Sequence, residues 1–190
     1  MTTAKRIKQV ALNQFIERGY EGASLAIIAE EVGIKKQSIY THYKSKQDLF
    51  FQVTNQVIRD EIEFIHNYFE IDHSTSTETL LYQFILSIKE RFTNEKDVNV
   101  NFMLRMAFMP PNDFKEDLIT EFHSYFNRLE DCIEAVLSMV PQLSISIAGA
   151  TSSFITIFEG LLVELIYGNV ETFENKLNET WKVYWRGITV

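Results

Sequence analysis

The sequence predicts an all-α protein, and three observations lead to this fold class. Apolar residues recur every three or four positions along most of the chain, as on a helix with one buried face. No stretch alternates apolar and polar residues as a half-buried strand does, and polar or proline-containing breaks separate the periodic segments. These segments predict about nine helices, arranged as an N-terminal domain over residues 1–47 and a helical body over residues 48–190.

Residues 24–43, which read SLAIIAEEVGIKKQSIYTHY, are predicted to form a helix-turn-helix. Ser24 is a favourable N-cap, residues 25–32 carry one apolar stripe, and Gly33 permits the positive φ of a tight turn. A second helix over residues 36–43 would turn its apolar residues inward and leave short or basic polar side chains outward. Because such side chains match the donors and acceptors that base edges offer in a major groove, this face predicts DNA binding.

The outward side chains include candidates for both base and phosphate contacts. Those expected at base edges are Lys36, Gln37, Thr41 and His42. Those expected at phosphates are Tyr40, Lys44 and Lys46, because the start of the next helix and its lysines form an anion site. The whole predicted DNA-binding set is Ser24, Lys35, Lys36, Gln37, Ser38, Tyr40, Thr41, His42, Lys44 and Lys46. The alternative interpretation of these residues is the solvated face that any surface helix presents.

Several residues in and around the motif also match one known family. They are Ala11 to Phe15, Gly19-Tyr20, Ser24, Ile28-Ala29, Gly33-Ile34, Ser38-Ile39-Tyr40, Tyr43-Lys44-Ser45-Lys46 and Asp48-Leu49. On these residues, positions 5–50 resemble the DNA-binding domain of the TetR family of bacterial transcription regulators. The resemblance implies a homodimer that pairs through its last two long helices, a double-stranded DNA operator, and a small-molecule effector bound among the middle helices. Repression that is relieved by a hydrophobic effector is therefore the expected function.

The net charge of −8 is unevenly distributed along the chain. Residues 1–50 hold eight Lys and Arg against five Asp and Glu, a balance of +3, which leaves −11 for the remainder. A modestly basic domain on an acidic body favours a sequence-specific regulator over a nonspecific DNA coat, which would need far more positive charge.

Two positions depart from the family pattern. Ala26 and Ile27 stand where polar or charged residues are usual, which removes the carboxylate that a capping box would place three residues after Ser24. Gln37 stands where small residues are commoner, and this bears on which bases are read. The small net charge of +3 on residues 1–50 and the Ala26-Ile27 pair leave an alternative function open. It is a ligand-binding or protein-interaction module whose N-terminal domain no longer reads DNA.

Other functional classes find little support. The single cysteine, Cys132, excludes an internal disulfide and a cysteine-based zinc cluster, so a reducing cytoplasm is the expected compartment. The first ten residues run into an amphipathic helix rather than a signal peptide. The four histidines show no metal spacing, and no nucleophile motif or glycine-rich phosphate loop occurs. We therefore predict no enzyme activity, no catalytic residues, no metal and no cofactor.

Three features predict helix boundaries in the body. Ser45 caps a helix of over twenty residues that links the two domains. Thr75 begins a capping box within a polar loop over residues 72–77. A second polar break covers residues 94–97, and Pro110-Pro111 end the short helix that follows it.

The helix predicted over residues 144–167 is apolar nearly all round and must be covered on two sides. A membrane span is one interpretation, but Glu159 and Glu164 interrupt the segment, and its uncharged run falls short of the roughly 20 residues that a bilayer requires. We expect instead that the body of its own subunit covers one side of this helix and a second subunit covers the other. The family resemblance implies that the helix over residues 172–188 joins it in the dimer interface. A homodimer would also double the base contacts and would require a pseudo-palindromic operator.

The body is rich in Phe and Met, which suit the wall of a cavity for a hydrophobic effector. The predicted effector-binding residues are Phe102, Met103, Met106, Phe122, Phe126 and Phe158. Plain core packing is the alternative interpretation of each, because any helical core shows such spacing. Arg105, His123 and Glu159 are polar groups that could orient a ligand or lie at the surface.

Overall fold

The computed structural model describes residues 2–70, 75–94 and 97–190, and its regular elements in these ranges are helical. They are α1 (Thr3–Gly22), α2 (Leu25–Val32), α3 (Lys36–Ile39), α4 (Lys46–Glu70), α5 (Thr77–Thr93), α6 (Val98–Phe108), a 3-10 turn at Asn112–Phe114, α7 (Lys115–Leu137), α8 (Ile147–Tyr167) and α9 (Val170–Ile188). One isolated antiparallel bridge joins Leu143 to Thr189, and no β-strand occurs among the described residues. The all-α prediction is confirmed.

The chain divides into two compact units. The first combines residues 1–61 with 96–122, and the second combines residues 62–95 with 123–190. The predicted boundary between residues 47 and 48 falls within the first turn of α4, and the first unit also includes α6. The functional division into a DNA-binding domain and an effector domain stays a prediction.

In the first unit, α1, α2 and α3 share a core with the start of α4. Its fully buried side chains are Ile7, Ala11, Phe15, Ile28, Ile39, Leu49 and Phe50. α1 bends at Gly19, whose φ of 68° lies in the left-handed region that favours glycine. The Gln14 Nε2 group donates a hydrogen bond of 2.6 Å to Glu31 Oε1 and so joins α1 to α2.

The second helix of the motif is shorter than the predicted span of residues 36–43. α3 ends at Ile39, and a turn over residues 40–42 follows it. The backbone N–H groups of Tyr40 and His42 donate to carbonyls three residues back, at 3.2 and 2.9 Å, which tightens the chain into 3-10 geometry. Periodicity could not reveal this end, because a 3-10 turn keeps nearly the same side-chain spacing as the helix it follows.

The predicted N-cap of α4 is confirmed. Ser45 Oγ accepts a hydrogen bond of 3.0 Å from the Asp48 backbone N–H. In return Asp48 Oδ2 accepts 2.7 Å from the backbone N–H of Lys44. The buried apolar residues of α4 that follow keep the predicted helical spacing and are Leu49, Phe50, Val53, Val57, Ile58 and Ile65.

Two predictions about the breaks before and after α5 have different outcomes. The cap of α5 is Ser76, whose Oγ accepts 3.2 Å from the Thr79 N–H, so the capping box predicted to begin at Thr75 is wrong by one residue. Serine and threonine are both good caps, and the pattern alone does not choose between neighbours. Parts of the two predicted polar breaks, residues 72–74 and 95–96, lie outside the described residues.

In the second unit α8 packs against α9 and α5. Among the described residues, α8 is the one helix that is long and apolar enough to cross a membrane, judged by length and composition alone. The same test is passed by core helices, and α8 buries eight of its residues within this unit. Tyr184 of α9 donates 3.1 Å to the Ala150 carbonyl, which ties the two helices together in the core. These contacts favour a core helix.

Candidate nucleic-acid interface

The turn of the helix-turn-helix is built by local contacts that the sequence predicts. Ser24 Oγ accepts 3.2 Å from the Ala26 N–H and caps α2. Gly33 adopts φ 76° and ψ 34°, and its N–H donates to the Glu30 carbonyl. The N–H of Ile34 then donates 2.9 Å to the Ala29 carbonyl and closes the helix end. Ser24 is thus engaged in positioning α2.

Most of the predicted DNA-contacting side chains lie exposed on one segment of the chain, which we call the exposed face. Its members are Lys35, Lys36, Gln37, Tyr40, Thr41, His42 and Lys44. Ser38 is half-buried among them, and Tyr40 is 52% exposed, which is high for a large aromatic side chain. The face presents ammonium, amide, hydroxyl and imidazole groups, which are the groups that hydrogen-bond base edges and phosphates.

Two buried residues, Ile39 and Tyr43, hold the exposed face against the core of the first unit. Ile39 is fully buried and Tyr43 is 3% exposed. The Tyr43 hydroxyl donates 2.9 Å to the carbonyl of Ala4, which anchors the turn after α3 to the start of α1. Burial, and secondarily the charge of Asp48, raises the pKa of Tyr43, so its phenol stays protonated and remains a donor.

Lys46 differs from the other predicted phosphate contacts. Its Nζ lies 2.8, 3.5 and 3.3 Å from the carbonyl oxygens of Tyr20, Glu21 and Ala23. The same ammonium sits 4.2 Å from the centre of the Tyr20 ring. The end of α1 leaves carbonyls without helical partners, and Lys46 satisfies them. A phosphate contact would require the ammonium to leave these carbonyls, so the structure gives Lys46 a positioning role.

Two further residues support this region, and no pattern in the sequence indicates them. Arg105 of α6 donates 2.8 Å from Nη1 to the Ile16 carbonyl of α1. Phe114 packs edge-on against Tyr20, with ring centres 4.8 Å apart and an interplanar angle of 89°. Both contacts join residues that are far apart in the chain, so only the folded protein brings them together.

The six predicted effector-binding residues do not gather around one described cavity. Phe102, Met103, Met106 and Phe122 are buried in the first unit, Phe158 is buried in the second, and Phe126 is half-buried there. None of them lines the three cavities described for this chain, of about 400, 300 and 570 Å³. An effector site at these residues stays a prediction.

Among the described residues, no group of three or more His, Cys, Asp or Glu side chains is placed to hold a metal ion. The exposed face can donate hydrogen bonds, and its lysines place positive charge along the surface.

Residues 7–53 match a family described as "Bacterial regulatory proteins, tetR family". The chain is also 31% identical over 88 residues to the biofilm operon icaADBC HTH-type negative transcriptional regulator IcaR of Staphylococcus aureus. The IcaR of Staphylococcus epidermidis is 30% identical over 83 residues. Each alignment covers 43% of this chain and 45% of the relative, so the chain spans less than half the length of the relatives it matches.

Solved structures share the fold over nearly the whole chain. A TetR-family regulator from Mesorhizobium loti superposes with a TM-score of 0.75 at 19% identity, covering 99% of this chain and 97% of that one. FadR from Bacillus subtilis, solved in complex with stearoyl-CoA, gives a TM-score of 0.68 at 14% identity, covering 97% and 98%. At these identities the likeness concerns the fold.

Proposed function

Because this chain belongs to the TetR family of bacterial regulatory proteins, we propose that it is a sequence-specific DNA-binding transcription regulator. The observation that carries the proposal is the exposed face, a set of hydrogen-bond donors held on the buried residues Ile39 and Tyr43. It acts in the cytoplasm as a repressor. Repression rather than activation is supported by the negative regulator IcaR among its relatives.

In this function the exposed face enters a major groove. Lys36, Gln37 and Thr41 read base edges, while Tyr40 and Lys44 bind phosphates beside the groove. Ser24, Tyr43 and Lys46 hold the segment in place through the hydrogen bonds described above. Binding is steeply salt-dependent, because the lysines displace counterions from the duplex.

A second copy of the chain completes the DNA-binding protein. Val163, Tyr167 and Val183, on α8 and α9, are exposed apolar residues of the second unit. A groove of about 570 Å³ between these helices is lined largely by apolar groups. Pairing of α8 and α9 with the same helices of a partner would cover this surface. The resulting two-fold dimer places two exposed faces on a pseudo-palindromic operator.

A small hydrophobic effector releases the operator. The candidate residues are Phe102, Met103, Met106, Phe122, Phe126 and Phe158, and the complex of FadR with stearoyl-CoA supports an apolar ligand for this fold. Binding favours a conformation in which the two exposed faces no longer match adjacent grooves. Coupling of about 1–3 kcal/mol between the two sites is enough to change operator occupancy.

The proposal is tested by selecting bound duplexes from a randomised library at two salt concentrations and sequencing them. A palindromic motif whose affinity falls steeply with salt is the expected result. A variant of one proposed base contact, Gln37→Ala, should relax the selected motif at one position in each half-site. No enrichment at either salt concentration, with folded protein, would overturn the proposal in favour of a ligand-binding or protein-interaction module.

A further inference from the structure

A cleft in the first unit has the features of a ligand site that DNA recognition does not use. It encloses about 300 Å³ and is lined by one face of α1, one face of α4 and Asn99 of α6. We call it the α1–α4 cleft. None of its lining residues belongs to the predicted DNA-binding or effector-binding sets.

The two long helices cross the cleft in antiparallel register. Phe15 of α1 meets Phe50 of α4, with ring centres 5.1 Å apart, whereas the earlier Lys8 reaches the later Gln56 at 3.3 Å. Each helix contributes four lining residues at the spacing that places side chains on one helical face. The first turn of α1, with Lys5, therefore lies at the same end of the cleft as Asp60.

This register separates an apolar end from a polar end. Leu12 and Val53 line the apolar end, and Val57 lies beside Gln56 between the two ends; their exposed fractions are 5%, 2% and 2%. Lys5, Lys8 and Asp60 line the polar end. A lining of this kind favours an amphipathic ligand.

The polar end carries a net positive charge. Gln56 Oε1 accepts from Lys8 Nζ and from Arg59 Nη2, and Gln56 Nε2 donates 2.7 Å to Asp60 Oδ1. Because Gln56 is neutral, these hydrogen bonds leave the charges of Lys8 and Asp60 in place. The Lys5 ammonium has no hydrogen-bond or ion-pair partner in the part of the chain that the structure describes. Two ammonium groups against one carboxylate favour an anionic ligand.

We propose that the α1–α4 cleft binds a small amphipathic carboxylate. The carboxylate lies between the ammonium groups of Lys5 and Lys8, and the apolar part lies on Leu12, Val53 and Val57. A volume of about 300 Å³ is at the lower end of small-molecule sites, which favours a short-chain carboxylate such as hexanoate or octanoate over a coenzyme.

Occupancy of the cleft would stabilise α6 against α1. Asn99 lines the cleft, and Arg105 further along α6 already donates to the Ile16 carbonyl of α1. A ligand that contacts α1, α4 and α6 together binds only when all three are in place. An effect of the ligand on operator affinity rests on the proposed function, whereas its binding does not.

The test measures binding to the full chain without DNA, by titration calorimetry. The probes are butyrate, hexanoate and octanoate, each compared with the primary alcohol of the same length. We expect hexanoate and octanoate to bind at least about tenfold more tightly than their alcohols, because only the carboxylates form charge-assisted hydrogen bonds. Lys8→Met should weaken hexanoate about tenfold and leave hexanol unchanged.

Two further variants separate this site from any other. Gln9→Trp, at an exposed position lining the cleft, should block carboxylates and alcohols alike without disturbing the core. Lys115→Met removes an exposed lysine that does not line the cleft and should change neither.

Three results would overturn the proposal. They are no binding of any carboxylate, equal affinity for carboxylate and alcohol, and hexanoate binding that Lys8→Met and Gln9→Trp leave unchanged. Because these titrations contain no DNA, failure of the proposed regulatory function would leave their outcome intact.

Discussion

Side chains of the exposed face differ in whether the protein already uses them. The Thr41 hydroxyl donates 2.7 Å to the Ser38 carbonyl. The side chains of Lys36, Gln37 and Tyr40 make no hydrogen bond to the residues that the structure describes, and their donors are free for a duplex. Residues without an internal partner can use all their donors on DNA, whereas the Thr41 hydroxyl keeps only its acceptor capacity for a base edge.

Lys44→Ala should weaken binding to all duplex sequences alike, because a phosphate contact carries no sequence information. The slope of log affinity against log salt should become shallower by about one unit. Fluorescence anisotropy on the selected operator and on a scrambled duplex measures both effects. Tyr40→Phe is the companion variant, which should lower affinity uniformly with the slope unchanged. A change of base preference in Lys44→Ala would contradict the phosphate assignment.

Lys46→Met separates positioning from phosphate binding. The charge-assisted bonds to the carbonyls of Tyr20, Glu21 and Ala23 should be lost, lowering the free energy of unfolding by about 1.5 kcal/mol. The salt slope of DNA binding should stay at the wild-type value. Urea unfolding and anisotropy provide the two readings. A shallower slope with unchanged stability would instead make Lys46 a phosphate contact.

At the level of secondary-structure elements, the start of α4 joins the exposed face to the first unit. Ser45 caps the helix, and Asp48 accepts from the Lys44 N–H and from Gln52 Nε2, at 2.7 and 3.0 Å. The hydrogen bond from Gln52 first, and then that from Lys44, holds the pKa of Asp48 below its ordinary value. The ionised carboxylate therefore stabilises the junction.

The lowered pKa of Asp48 predicts how stability depends on pH. A depressed pKa contributes stability above the ordinary Asp value of about 3.9, and this contribution is lost as pH falls through the lowered pKa. Asp48→Asn should therefore be less stable than the wild type near pH 7, and the difference should shrink below about pH 4. Urea unfolding of both proteins at pH values from about 7 to below about 4 measures this difference in the free energy of unfolding.

Asp117→Asn, at an exposed position in the first turn of α7, is the matched control for Asp48→Asn. It should leave the difference between neutral and acid stability close to that of the wild type. A constant deficit of Asp48→Asn at every pH would show that its carboxylate does not act through ionisation.

For the whole molecule, the apolar surface of the second unit has consequences for assembly. Tyr167, Val170 and Val183 are 62%, 40% and 75% exposed. Single exposed apolar residues are ordinary, but a groove of about 570 Å³ lined largely by apolar groups adjoins Val183. A second copy covering α8 and α9 accounts for both observations.

Val183→Glu should convert the proposed dimer into a folded monomer, because it places a charge in the covered surface while leaving the protomer core untouched. Light scattering after size-exclusion chromatography measures the mass, and affinity for a palindromic operator should fall with it. Ile119→Glu makes the same change at an exposed apolar residue of the first unit and should remain dimeric. A dimeric Val183→Glu would place the interface elsewhere.

Local features of the helix-turn-helix could be predicted from the sequence. The cap at Ser24, the bounds of α2 and the left-handed Gly33 depend on residues within a few positions of one another. The cap of α4 at Ser45 is local in the same way. Residues 7–53, which match a family of regulatory proteins, contain all of these features.

The tertiary structure alone decided which polar and apolar residues have a partner inside the protein. The sequence did not distinguish Lys46 from the other lysines near the start of α4. Only the folded chain brings the carbonyls at the end of α1 to its ammonium. Helical periodicity marked Phe102 and Met103 as inward-facing, yet core and cavity walls share that spacing, so it could not separate them. Short-range hydrogen bonds follow the order of residues in the chain, whereas the placement of α6 against α1 depends on how distant segments pack.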